Sequence, residues 1–134
     1  MSKLLNSEPI ALDFGLLLMR VMAGGGMLYG HGWNKLVHFG DKMDSFADPF
    51  GIGPTFSLIL VVFAEAICST LVMLGLWLRV STIPVIVAMI VAAFVSHAGD
   101  PFGDRESALF YLAAFMTLFF TGSGRFALDR VSFS

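Results

Sequence analysis

An all-α integral membrane bundle of four helices is the fold class that the sequence predicts, and three observations predict it. Four apolar segments each approach the ~20 residues that a helix needs to span ~30 Å of hydrocarbon. Apolar residues make up 57% of the 134-residue chain and charged residues only 13%. Soluble domains carry about 25% charged residues. A chain this short cannot hide so much apolar surface in its own interior, because small folds leave much of their surface exposed. Finally, Arg20 and Glu65 interrupt otherwise apolar segments. Ionisable residues inside a span usually face the bundle interior and have partners.

The first segment runs from about Ala11 to Gly32. It makes a poor cleaved signal: acidic Glu8 and Asp13 precede or begin it, and Arg20 interrupts it. It reads as a retained helix. The second segment runs from about Pro54 to Leu78, the third from about Val80 to Ala98, and the fourth from about Glu106 to Thr121. In hydrocarbon the backbone must satisfy its own hydrogen bonds, which leaves helices or closed barrels. These segments are too long and too uniformly apolar for barrel strands. Together they form one membrane domain over residues 1–134.

The loops differ in kind. Loop one, about Trp33 to Gly53, places Phe39, Met43, Phe46 and Phe50 at helical spacing, which suggests a short interfacial helix. Loop two is a tight turn at Leu78 and Arg79, and loop three, Gly99 to Arg105, is polar and rich in turn residues. With both termini cytoplasmic, Lys3, Arg79, Arg125 and Arg130 lie inside and Lys35, Lys42 and Arg105 outside, so the lysine and arginine bias is slight. Trp33 and Trp77 suit interfacial positions.

Composition also excludes function classes. No basic tract supports nucleic-acid binding. The single cysteine, Cys68, excludes an internal disulfide and a dithiol redox pair. No metal-ligand signature is present.

Helix one carries a polar stripe of Asp13, Arg20, Gly24, Met27, His31 and Lys35 on one face. Gly24, Gly25, Gly26 and Gly30 would let a neighbouring backbone approach closely, with Gly26 and Gly30 as a small-xxx-small pair. The obvious partner for Arg20 is Glu65 of the antiparallel second helix. That pair is either a clamp that sets helix register or a proton-active or ligand-binding pair beside a cavity. A second cluster, His31, Lys35, His38 and His97 with Asp100, Asp104, Arg105 and Glu106, lines the end that bears loops one and three. It is either a wet rim or a mouth for a polar head group or quinone carbonyl. Haem ligation by His31 and His97, or a metal held with Asp100 or Glu106, lacks a recognised spacing.

Several short motifs stand in order along the chain. They are Leu18, Met19 and Arg20 before the glycine-rich run; Tyr29 through Leu36; Ala64, Glu65 and Ala66; Leu74, Gly75, Leu76 and Arg79; and Gly122 through Asp129. This pattern resembles the DoxX family of small four-helix bacterial membrane proteins. The resemblance implies an inner-membrane bundle with a loose association with redox chemistry. It points to Arg20, His31, Gly32, Lys35, Glu65 and Asp129 without assigning them roles. No dinucleotide fingerprint is present, so a redox ligand would be a quinone, a haem or a group held by a partner.

Two expectations of function follow. The first is a subunit of a membrane redox system that handles a quinone, with an oxidoreductase partner and with Arg20, Glu65, His31, Lys35 and His97 at the site. The second is a non-enzymatic scaffold that binds partner proteins through acidic outer loops, or associates with copies of itself.

Overall fold

The computed structural model describes residues 2–46, 48, 50–96 and 98–130. Among them stand four long helices and no strand. We label them α1 (Leu12–Val37), α2 (Pro54–Leu74), α3 (Leu78–Ser96) and α4 (Phe102–Thr121). The first three have 26, 21 and 19 residues and are long and apolar enough to cross a membrane. At 1.5 Å per residue, α1 is about 39 Å long and overshoots the hydrocarbon. The fourth has 20 residues but opens on Asp104, Arg105 and Glu106, so its apolar stretch begins only at Ser107.

The helix boundaries differ from expectation for identifiable reasons. Helix α1 continues past Gly32 through Lys35 to Val37, because no helix breaker intervenes. Helix α2 stops at Leu74 although the apolar run continues. Gly75 there takes a left-handed φ of 74°. The amides of Gly75 and Leu76 fold back onto the carbonyls of Val72 and Leu71, at 3.0 and 2.9 Å, which closes the helix with paired terminal bonds. Trp77 then sits at φ 48°, left-handed without being glycine. It is held there because its amide donates to Asp129 Oδ1 at 2.7 Å, while the Leu78 amide reaches Oδ2 at 3.3 Å. Asp129, remote in sequence, thus does the work of an N-cap for α3.

The tail after α4 is a strap beneath this end of the bundle. The Arg125 amide donates to Asp13 Oδ1 at 3.0 Å, and the Asp129 amide to the Gly75 carbonyl at 3.1 Å. The core lies between the four helices around Met27, Val72, Val85, Ala93, Phe115 and Leu118. A smaller cluster of Leu58, Val62 and Ala66 receives Phe39 and Phe46 from loop one. The loop's short helix, Phe39–Lys42, therefore turns its aromatic side back onto α2.

The exterior is apolar. Met22, Phe56, Ile67, Val80, Val87, Phe110 and Phe120 are each at least half exposed. A surface of this kind is stable only against hydrocarbon or another apolar partner.

Candidate functional site

Three π-helical turns interrupt the first three helices: Leu28–Gly32 in α1, Phe63–Cys68 in α2 and Ala92–Ser96 in α3. Such turns widen the helix, shift side-chain direction and recur at functional sites. They loosen the backbone ladder, and nearby donors compensate. Ser69 Oγ and Thr70 Oγ1 donate to the carbonyls of Ala64 and Ala66, at 3.3 and 2.7 Å. The Arg105 guanidinium donates to the Ala93 carbonyl at 3.3 Å.

Two of these turns meet. Gly32 lies directly against the backbone of Glu65: a Cβ at Gly32 would collide with the Glu65 carbonyl group and stand 2.7 Å from the Ala66 nitrogen. Gly24, two turns earlier, meets α2 in the same way, where a Cβ would lie 2.7 Å from the Ser69 carbonyl oxygen. These two glycines set the register of α1 against α2. Beyond Gly32, Lys35 reaches across and places its Nζ 2.5 Å from Glu65 Oε1. The Glu65 side chain is 6% exposed and that of Lys35 22%. A carboxylate so deeply placed needs a countercharge, because an unpaired buried charge is very costly.

The expected Arg20–Glu65 pair is therefore corrected to Lys35–Glu65. The reason is depth. Gly32 stands level with Glu65, and Arg20 lies twelve residues before Gly32, about 18 Å along the helix axis. Arg20, 1% exposed, donates to the Met73 carbonyl at 3.3 Å and to the Phe126 carbonyl. It places a cation at the C-terminal end of α2, where the helix dipole favours one, and ties that end to the strap. Asp129 provides a countercharge. The Arg20 and Lys35 halves of the polar stripe thus occupy opposite ends of the bundle.

Other expected residues separate too. His31 turns to α4, edge-on to the Tyr111 ring at 5.4 Å and 87°. His97 lies outside the described residues. The two small residues face different surroundings: Gly26 meets the Tyr111 hydroxyl, and a Cβ on Gly30 would meet nothing of this chain within 4 Å. Within this chain the close approach in this π turn is made by Gly32, while Gly30 faces outward.

Beside the Lys35–Glu65 pair lies a cavity of about 550 Å³. Helices α2 and α3 form its walls through Leu60, Phe63, Val87 and Val91, and loop one covers it with Phe46, Phe50 and Ile52. Among the described residues, Lys35 and Glu65 are the charged ones in its lining and Ser57 and Ser96 the neutral polar ones. Volume and lining suit a small amphiphile: clefts of roughly 300–1,000 Å³ with a few placed polar groups are the usual form of such sites. The cavity lies between α2 and α3, and Lys35 of α1 reaches over to its margin.

The cover over this cavity is held by a residue that sequence reasoning missed. The Asp48 carboxylate accepts from the amides of Ile52 and Gly53, at 2.9 and 2.8 Å, and from Ser57 Oγ at 3.1 Å. Partial desolvation pushes its pKa up, but hydrogen bonds from Gly53, Ile52, Ser57 and Gly51 outweigh that and hold it below the ordinary carboxylate value. The run Asp48, Pro49, Phe50, Gly51, Ile52 and Gly53 before Pro54 carried the signal: an acid ahead of a glycine-rich turn into a helix.

An all-helical chain with an apolar exterior, three spanning-length helices and a buried ion pair beside a cavity defines a small multi-pass membrane protein. The DoxX family model matches residues 15–98, well over half of the chain, and the protein belongs to that family. No curated protein and no solved structure matches the chain.

Proposed function

We propose that this protein is the membrane subunit of a redox system and binds a quinone, or a closely similar lipid-soluble redox ligand, in the cavity beside Lys35 and Glu65. The observation that carries the reading is the cavity itself: about 550 Å³, walled by apolar side chains of α2 and α3, with one ion pair at its margin. The residues fit the group. Lys35 has N–H bonds beyond the one given to Glu65 and supplies a donor for a ring carbonyl. The apolar walls suit a ring and the start of a prenyl tail. When bound, the quinone supplies two-electron redox chemistry. The chain's own residues bind and orient it, and the phenylalanines of loop one exclude water from the head. Arg20 and His31 stand apart from this cavity and serve the packing of α1 in this reading.

The same reading places α4 in the membrane as the fourth crossing, with Asp104, Arg105 and Glu106 at the interface. The termini and the strap then lie on the cytoplasmic side of a bacterial inner membrane. A soluble or membrane oxidoreductase supplies or accepts the electrons.

The test is a titration of the purified protein in nanodiscs with short-tailed ubiquinone and menaquinone analogues. Saturable one-to-one binding is expected, weakened in Glu65→Gln and abolished in Val87→Trp, which fills the cavity from its exposed wall. Absence of saturable binding, or equal binding in both variants, would remove the reading.

A further inference from the structure

The cavity carries information about the head group it accepts, and the inference rests on the reading just given. Lys35 Nζ and Glu65 Oε1 are 2.5 Å apart and neutralise one another. Among the described residues, the rest of the lining carries no charge. The walls lead outward: Leu60, Phe63 and Val87 line the cavity and are 47%, 45% and 53% exposed on the outer face of α2 and α3. An apolar tail lying there is continuous with the surrounding hydrocarbon, so the ligand arrives sideways from the membrane.

A head that arrives from hydrocarbon meets a pair already in balance. A carboxylate or phosphate head would need Lys35, and would leave Glu65 as an unpaired anion in a site with 6% side-chain exposure. A cationic amine would need Glu65 and strand Lys35. Either leaves net charge in a low-dielectric site, where breaking a buried pair is strongly destabilising. An uncharged head asks for neither. Lys35 keeps spare N–H donors and Glu65 keeps its Oε2 as a spare acceptor, side by side. Those two groups can serve a carbonyl and a hydroxyl while the pair stays closed.

We propose that the Lys35–Glu65 pair is a charge filter: it admits lipid-tailed ligands whose heads are uncharged hydrogen-bonding groups, and it excludes acidic and basic amphiphiles of the same length.

The experiment uses the full chain in nanodiscs and three probes with closely matched alkyl tails of nine or ten carbons: decyl-benzoquinone, decanoate and decylamine, each titrated at pH 7 and read by native mass spectrometry. The wild type is expected to bind the quinone at least about tenfold more tightly than either charged probe, a factor equal to about 1.4 kcal/mol. Glu65→Gln leaves a lone cation and is expected to shift the preference to decanoate. Lys35→Met leaves a lone anion and is expected to shift it to decylamine. The double variant Lys35→Met/Glu65→Gln restores neutrality. It guards against misfolding of the single variants, and it is expected to prefer the quinone again. Equal binding of all three probes by the wild type would overturn the filter and leave the cavity reading intact. Binding of none of them would overturn both.

Discussion

Gly32→Ala and Gly30→Ala make a controlled comparison within one π turn of α1. The residues are two positions apart and the chemical change is identical. In a helix interior, glycine to alanine is worth up to about 1 kcal/mol of stabilisation, from backbone entropy alone. At Gly30 that is the whole effect, since an added Cβ meets nothing within 4 Å. At Gly32 the new methyl would collide with the Glu65 carbonyl group and lie 2.7 Å from the Ala66 nitrogen. These are backbone atoms, so no rotamer change relieves the clash and the two helices must separate. Overpacking of this kind costs about 1–3 kcal/mol. The net effect at Gly32 is a destabilisation of up to about 2 kcal/mol after the propensity gain is subtracted. The two variants should therefore differ by about 1–3 kcal/mol, with Gly30→Ala the more stable. Denaturation of purified protein in mixed SDS and mild-detergent micelles measures the difference. Gly32→Ala should also weaken quinone binding, because the clash moves Glu65 away from Lys35. Equal stability of the two variants would refute the close approach of α1 to α2 at Glu65, and with it the register on which the ion pair depends.

Two further predictions concern the ends of the bundle. Asp48 is held below its ordinary pKa of 3.8 by the hydrogen bonds that it accepts. Its contribution is therefore fully present above that value and lost as pH falls through the lower folded value. The thermal midpoint of the wild type should fall below about pH 3.8, and Asp48→Asn, already lower at neutral pH, should show a flatter acid limb; superimposable profiles would sink the assignment. At the other end, Asp129→Ala removes the acceptor of the Trp77 and Leu78 amides. It should destabilise by about 0.5–2 kcal/mol, as loss of an N-cap does. Unchanged stability in the same micellar denaturation would show that the strap does not hold the start of α3.

What the sequence made legible was the part set by hydropathy and length. The four helices, the apolar exterior and the inward charges all follow from composition along the chain. The error was in depth. Ending α1 at Gly32 and carrying α2 on to Leu78 brings Arg20 opposite Glu65. In the fold the register is set by close backbone contacts rather than by where the helices end: Gly32 packs on Glu65 and Gly24 on Ser69, which brings Lys35, about one turn beyond Gly32, within reach of Glu65 and leaves Arg20 level with the end of α2. Gly75 was a readable stop signal, masked by the leucines and tryptophan after it. The π turns were not readable, because nothing in Leu28–Gly32 or Phe63–Cys68 distinguishes a π from an α turn by residue type. They decide that Gly32 faces α2 while Gly30 faces outward. Long-range partners such as Asp129 with Trp77, or Arg20 with Phe126, come from the path of the strap, which local spacing does not encode.

A photoreactive quinone with a short tail, cross-linked to the protein in its membrane and mapped by peptide mass spectrometry, addresses the central claim most directly. Label on Leu60, Phe63, Val87 or Val91, displaced by excess unlabelled quinone, is the result that the cavity beside Lys35 and Glu65 predicts. Label confined to the α1–α4 face around Met22 and Phe110, or label that excess quinone does not displace, would contradict it.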